Sequence, residues 1–268
     1  MKTKVIGIQG KETKSIDLPS QFDESYRPDL IRRAFRAYSA NNRQKYGAYP
    51  RAGMRHSAEI SRRRREYRGS YGYGISRVQR KVMSRRGRRL FWVGAVVPGT
   101  VGGRRAHPPK SSKNWKINLN KKERRKAIRS ALAATLSKDI VIRRGHKLNK
   151  NYPFVLSDDF EGIKKTKELL EFFQKIGFGD ELKRVSSKKV RAGKGKARGR
   201  VYKKKKGPLI IVGENCPMIK AAKNIPGVDV ADVKHLNMGL LAPGGHAGRL
   251  AFFTEKAIKI MKEENLFK

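Results

Sequence analysis

The sequence holds a single cysteine, Cys216, in 268 residues. One thiol cannot build a disulfide framework, so a stapled secreted scaffold is excluded. Cys216 reads as a small buried hydrophobe rather than a nucleophile. Acidic residues are scarce, with 22 Asp and Glu against 65 Lys and Arg. Long apolar runs are absent: nothing approaches the ~20 residues that span a bilayer. The opening MKTKVIGIQGKE carries no signal-peptide core. No membrane partner is therefore expected, and the default location is cytoplasmic. Hydrophobic residues make up only 38% of the chain, so part of it should lack a core of its own.

What is present is positive charge. A formal net charge of +43 would strain a free globular domain by self-repulsion and implies a polyanionic partner, nucleic acid in the absence of a membrane. The charge is uneven. Between Arg43 and Arg105 there are 18 Lys and Arg against Glu59 and Glu66. Between Lys188 and Lys206 there are 11 and no acid. The first stretch has too few apolar residues for a core, with short helices expected at most over Ala58–Tyr67 and Ser76–Arg85. As an out-and-back excursion it would reach at most ~100 Å.

Around these stretches, pattern returns. TKVIGIQ reads as a strand and KETKSIDLP as a turn and a second extended piece. Pro28–Arg43 reads as a helix with Leu30, Ile31, Ala34, Phe35 and Tyr38 on one face. Asn120-Lys-Lys-Glu123 resembles a capping box before a helix bearing Ile128, Ala131, Leu132, Thr135 and Leu136. Pro153–Leu156 reads as a strand, Ile163–Ile176 as a helix and Leu182–Val185 as a strand. The uninterrupted apolar run Pro208–Val212 reads as a strand buried on both faces. A helix at Cys216–Lys223, a strand at Val228–Val233, a brief helix to Leu240, a strand at Leu250–Phe253 and a C-terminal helix complete the alternation. Such alternation predicts an α/β fold, a layered Rossmann-like domain with a mostly parallel sheet. Its core is assigned to residues 1–42 and 114–268. A long extended basic internal loop at 43–113 interrupts it, with a second basic loop at 188–206.

The loop chemistry suits RNA. Lys and Arg neutralise phosphate, and Arg adds a planar fork that pairs with phosphate and stacks on bases. Arg62, Arg63, Arg64 and Arg65 are consecutive, and Arg85, Arg86, Arg88 and Arg89 cluster. Arg43, Lys45, Arg51, Arg55, Arg68, Arg77, Arg80, Lys81, Arg104, Arg105 and Lys110 extend the candidate contact set. Tyr46, Tyr49, Tyr67, Tyr71, Tyr73, Phe91 and Trp92 offer rings to unstacked bases. His56 and His107 belong with them. Lys194, Lys196, Arg198 and Arg200 alternate with glycine, and Lys203 and Lys204 follow, which reads as a clamp on phosphate backbone. This stretch lacks the ending and the strand-to-helix context of a nucleotide-binding loop. No helix-turn-helix, zinc-finger or basic-zipper pattern favours duplex DNA.

Catalysis has no positive signal. Asp158 and Asp159 follow a strand, and their bland role is to cap the next helix. His56, His107, His146, His235 and His246 show no ligand spacing with Cys216, so no metal is expected. Gly244, Gly245 and Gly248 lie before a strand, the wrong side for a dinucleotide fingerprint.

These residues carry a resemblance. RPDLIRRAFRAYSANNRQKYG, GRRAHPPKSSKNWKINLNKKERRKAIRSALAATL, PFVLSDDFEGIKKTKE, AGKGKARGRVYKKKKGPLIIV and LAPGGHAGRLAFFTEKAI together resemble the ribosomal large-subunit protein four family, in its archaeal/eukaryotic branch, nearly end to end. The resemblance implies a structural, non-enzymatic constituent of the large ribosomal subunit, with no cofactor. It implies an α/β domain on the subunit surface and a loop that enters large-subunit ribosomal RNA and supports early assembly. The loop tip would approach the polypeptide exit tunnel beside ribosomal protein twenty-two. Mapped here, that tip is Gly69, Ser70, Tyr71, Gly72, Tyr73 and Gly74, through to Arg77. The implied partners are ribosomal RNA and neighbouring ribosomal proteins, not a second copy of the chain.

Overall fold

The computed structural model describes residues 2–149 and 151–268. The chain divides into two compact units: one runs to Asn42 and resumes from Lys116 to Lys268, and the other is Arg43–Trp115. The first opens with β1 (Lys2–Ile6), β2 (Glu12–Asp17) and α1 (Pro28–Asn41). The second unit holds β3 (Ala58–Glu59), β4 (Arg80–Arg86) and β5 (Arg89–Gly94). The first then continues through α2 (Lys121–Leu136), α3 (Lys138–Arg143), β6 (Phe154–Leu156), α4 (Thr166–Lys175) and α5 (Gly179–Ser186). It ends with β7 (Lys188–Val190), β8 (Tyr202–Lys204), β9 (Leu209–Val212), α6 (Met218–Lys223), β10 (Asp229–Asp232), α7 (Met238–Leu241), β11 (Ala251–Thr254) and α8 (Glu255–Glu263).

The first unit is α/β with a mixed, mostly parallel six-stranded sheet in the order β10-β9-β11-β6-β1-β2. Only β2 runs antiparallel, paired with β1. The apolar run of β9 explains its central place. Leu209 and Ile211 pack with Ile31, Ala131, Leu241 and Ile258 on one face. Ile210 and Val212 pack with Phe172, Phe173, Met218 and Ala222 on the other. Alternation along a pleated strand sends successive side chains to opposite faces, so a strand covered on both sides must be apolar throughout. On the second face Phe252 meets Tyr152, Phe154, Phe173 and Phe178 at ring distances of 6.4, 5.1, 5.6 and 5.3 Å. Burying each such ring is worth about 1.5–3 kcal/mol. At the other extreme, β2 is polar and largely exposed, as an edge strand that must not recruit a partner should be.

Several expectations need correction. Ala58–Tyr67 is not a helix: it holds the two-residue β3 and turns, and Ser61 bridges Gly69. Ser76–Arg85 is not a helix either; β4 starts at Arg80 and pairs with β5, whose LFWV run supplies a cross-strand partner. Leu182–Val185 lies in α5, because Glu181 and Val185 fall on one buried helical face. The capping box does not form: the Asn120 side chain makes no cap, and Glu123 is drawn 3.1 Å from Arg33 on α1 instead. The basic stretch from Lys188 is not a bare loop, since β7 and β8 pair as a hairpin. Asp158 caps α8 rather than the next helix, its Oδ1 accepting the Lys256 N–H at 2.6 Å.

Candidate nucleic-acid interface

The sequence gives residues Arg43–Trp115 almost nothing to bury, and the structure is built accordingly. Among the described residues of this unit only Ser70 and Ala95 are buried. Backbone hydrogen bonds hold it: the Ala48 N–H donates to the Pro109 carbonyl (2.9 Å), Ala95 to Gln79 (2.8 Å) and Arg104 to Val96 (3.0 Å). β4 and β5 are joined through Gly87, whose φ of 55° is the left-handed value a tight hairpin turn requires.

Arginines lie over the interleaved rings. Arg43 sits over Trp115 at 4.6 Å, Arg55 over Tyr49 at 4.3 Å, Arg77 over Tyr71 at 4.2 Å and Arg80 over Trp92 at 5.9 Å. Tyr46 also packs on Trp115, 4.7 Å between centroids. These contacts hold guanidinium groups in place without neutralising them. Neutralisation is almost absent. Glu59 pairs with Arg68, and Glu66 with Arg63 at 3.3 Å. Every other Lys and Arg from Arg43 to Arg105 makes no ion pair among the described residues. Arg68 Nε, Arg80 Nε, Ser70 Oγ and Trp115 Nε1 are buried without a hydrogen-bond partner there.

Two cavities gather the predicted residues. One of about 710 Å³ is lined by Arg65, Arg68, Gly69, Tyr73, Arg88, Arg89 and Trp92, among others. Its lining is unusual at two positions, because Arg65 and Arg68 have φ of 58° and 63°, a conformation that L side chains rarely adopt. The second, about 650 Å³, brings together Tyr46, Arg105, His107 and Lys110. His56 stands elsewhere, its Nε2 at 3.2 Å from the Gly102 carbonyl oxygen. Arg62, Arg63, Arg64, Arg85 and Arg86 are exposed and line neither cavity, as are Lys45 and Arg51. Gly69–Arg77 is a turn segment in which Tyr73 is 74% exposed and Ser70 is buried. Gly72 and Gly74 have positive φ with open space around them.

In the α/β unit, Lys194, Lys196, Arg198 and Arg200 occupy the exposed end of the β7–β8 hairpin, and Lys203 and Lys204 lie on β8. The end is closed by the Arg191 N–H to the Val201 carbonyl (2.7 Å) and by Arg191 Nε to the Arg200 carbonyl (3.0 Å). The stretch passes from strand to strand and opens no helix. Cys216 is half-buried, and burial pushes its thiol up, away from the reactive thiolate. No group of three or more His, Cys, Asp or Glu is placed to hold a metal among the described residues. No helix there is long and apolar enough to cross a membrane.

Sequence reasoning missed two ionic clusters. Arg249, in the LAPGGHAGRL segment, is fully buried. Its Nε donates to the Gly207 carbonyl (2.8 Å), Nη1 to Leu240 (2.9 Å), and Nη2 to Pro208 (3.3 Å) and Asp229 (2.6 Å). The other joins His146, Glu181 and Arg184. Glu181 Oε1 is 2.7 Å from His146 Nδ1 and 2.6 Å from Arg184, and Oε2 accepts the Lys147 N–H at 3.0 Å. Burial alone would raise the Glu181 carboxyl, but these donors outweigh it and bring it down to about 2. Burial drives His146 the other way, favouring its neutral form. No local signal marked either cluster: Glu181 lies in the polar stretch GDELKR, and its partner His146 is 35 residues away.

An α/β scaffold with a second, nearly coreless unit whose positive charge is left open defines a class: strongly cationic proteins that carry an unneutralised basic unit as well as a folded domain. The comparisons narrow it. The model of the ribosomal protein L4/L1 family matches residues 16–264. The large ribosomal subunit protein uL4 of Nanoarchaeum equitans is 48% identical over the whole of both chains. The proteins of that name from Archaeoglobus fulgidus and Methanocaldococcus jannaschii are each 44% identical, over 98% of this chain and 99% of theirs. The chain belongs to the ribosomal protein L4/L1 family and is not an enzyme.

Proposed function

We propose that the chain is a structural constituent of the large ribosomal subunit that binds large-subunit ribosomal RNA. In this reading the α/β unit is a Rossmann-like layered anchor. Arg43–Lys113 threads into folded RNA, and the Lys188–Lys206 hairpin clamps phosphate backbone. The observation that carries it is the open charge of a unit with two buried residues: such a segment gains its core and its counter-charge together when RNA surrounds it. The buried donors without partners fit the same account. The reading extends to early assembly of the subunit in the cytoplasm, as a single copy. It also places Gly69–Arg77 toward the exit tunnel, near ribosomal protein twenty-two.

The test is binding of the full chain to large-subunit ribosomal RNA across a salt series. Neutralising ten or so phosphates gives a log–log slope steeper than about −6. A slope near −2, or equal affinity for unrelated duplex DNA, would overturn the reading.

A further inference from the structure

One cavity in the α/β unit meets the basic segments assigned above only at Lys203, Lys205 and Lys206. It measures about 770 Å³ and lies between α1, the end of α3, α5, the segment leaving β8 and the Gly244–Ala247 turn. Its charged lining is entirely cationic. Two of those cations are satisfied: Arg184 by Glu181 at 2.6 Å and Lys206 by Asp229 at 2.9 Å. Arg32, Arg143, Arg144, Lys203 and Lys205 make no ion pair among the described residues.

Arg144 is the centre of the arrangement. It is partly buried, and its guanidinium is fixed by Nη2 on the Pro243 carbonyl (2.8 Å) and Nη1 on the Ala247 carbonyl (3.3 Å). Gly244 and Gly245, at φ of 82° and 80°, give the turn the shape that presents those carbonyls. Two N–H groups are used and three remain. Burial, together with the charges of Arg249 and Arg184, pushes Arg144 down to about 10. A desolvated cation held among other cations is costly until an anion completes it.

We propose that this cavity seats a backbone phosphate of folded RNA, with Arg144 as the fixed donor and Arg32, Arg143, Lys203 and Lys205 around it. The planar fork of arginine matches two phosphate oxygens at once. Tyr26, 45% exposed on the cavity wall, offers a ring to an adjoining base, which an acidic peptide would not use. The proposal rests on the ribosomal RNA reading; it shares Lys203 and Lys205 with the second basic segment but centres the contact on Arg144, with Arg32 and Arg143, outside both segments.

The experiment is lysine acylation of the full chain, free and bound to large-subunit ribosomal RNA. Lys203 and Lys205 should react roughly tenfold more slowly in the complex, as should Lys45 and Lys110 of the other unit. In Arg143→Gln/Arg144→Gln the protection of Lys203 and Lys205 should be lost while Lys45 and Lys110 stay protected. Arg32→Gln/Lys205→Gln, which changes only exposed side chains, should lower the salt slope by up to about 0.9, one phosphate's share, without altering the melting curve. Protection of Lys45 and Lys110 with Lys203 and Lys205 as reactive as in free protein overturns this site, and the hairpin clamp with it, and leaves the RNA reading of Arg43–Lys113 intact. No protection anywhere overturns both. Equal protection by tripolyphosphate at the same phosphate concentration would make the cavity a small-anion site and overturn its assignment to RNA.

Discussion

Replacing Arg249 by methionine strips a buried guanidinium from three main-chain carbonyls and one carboxylate. Methionine fills much of the same space, so the cost is mainly polar. Each carbonyl left dry costs about 1–3 kcal/mol, and breaking a buried pair typically costs about 3–5 kcal/mol. Asp229 is not stranded, because its side chain is 29% exposed and keeps Lys206 at 2.9 Å. Pro208 also keeps a partner, since its carbonyl accepts the Asp229 N–H at 3.1 Å; the carbonyls of Gly207 and Leu240 therefore dominate, and about 3–5 kcal/mol is expected. At about 2–4 °C per kcal/mol for a chain of this size, Tm should fall by about 6–20 °C. Thermal and urea unfolding of the RNA-free chain measure it. Asp229→Asn leaves Arg249 buried without its counter-charge, so the double variant should lose less than the two singles together, by about 1–3 kcal/mol. A loss under about 1 kcal/mol for Arg249→Met, or strict additivity with Asp229→Asn, would refute the claim that this arginine ties the ends of β9 and β10 to the segment before β11.

Gly248→Ala should destabilise by about 2–4 kcal/mol in urea titrations, from left-handed strain plus overpacking. The position has φ of 81°, and an added Cβ would meet Ile140 Cγ2 at 2.6 Å and its carbonyl oxygen at 2.8 Å. Stability should fall as pH drops in two stages. His146 and Glu181 both have depressed values when folded, so their stabilisation is present above the unfolded values of about 6.5 and about 4.3 and is lost on acidification. His146→Gln should remove the upper stage from a Tm-against-pH curve; an unchanged curve would exclude His146 as its source. In limited trypsin digestion of RNA-free protein, cuts should come first in Arg43–Trp115 and Arg191–Arg200, while α2, β9 and β11 survive. Equal protection of Arg43–Trp115 would contradict a unit with two buried residues.

Much of the α/β unit was legible because its signals are local. Pro28 and the spacing of Ile31 and Ala34 set α1, and Leu209–Val212 could satisfy its apolar side chains only in a strand covered on both faces. The misreadings share a cause: each segment's conformation is decided by a distant partner. Arg80–Arg86 carries good helix formers, yet β5 claims it as a strand. Glu123 could cap its own helix, yet Arg33 takes it. Leu182–Val185 is too short for its period to be read, and burial of Glu181 against His146 settles the helix. The candidate interface followed the same division. Composition located its cations, whereas the cavities that unite Arg65, Tyr73 and Trp92, or Tyr46 and His107, depend on turns that bring residues tens of positions apart together.

By itself the sequence determined where the charge lies, that few acids accompany it there, and which apolar runs form a two-faced sheet. These are properties of residues and their spacing. Only the tertiary structure decided which charges are answered within the chain. Arg249 and Arg184 find carboxylates, whereas Arg144 is held by two carbonyls and faces further cations. Charge is written in composition, but its compensation depends on distances of a few ångströms between segments far apart in the chain, and folding alone sets those.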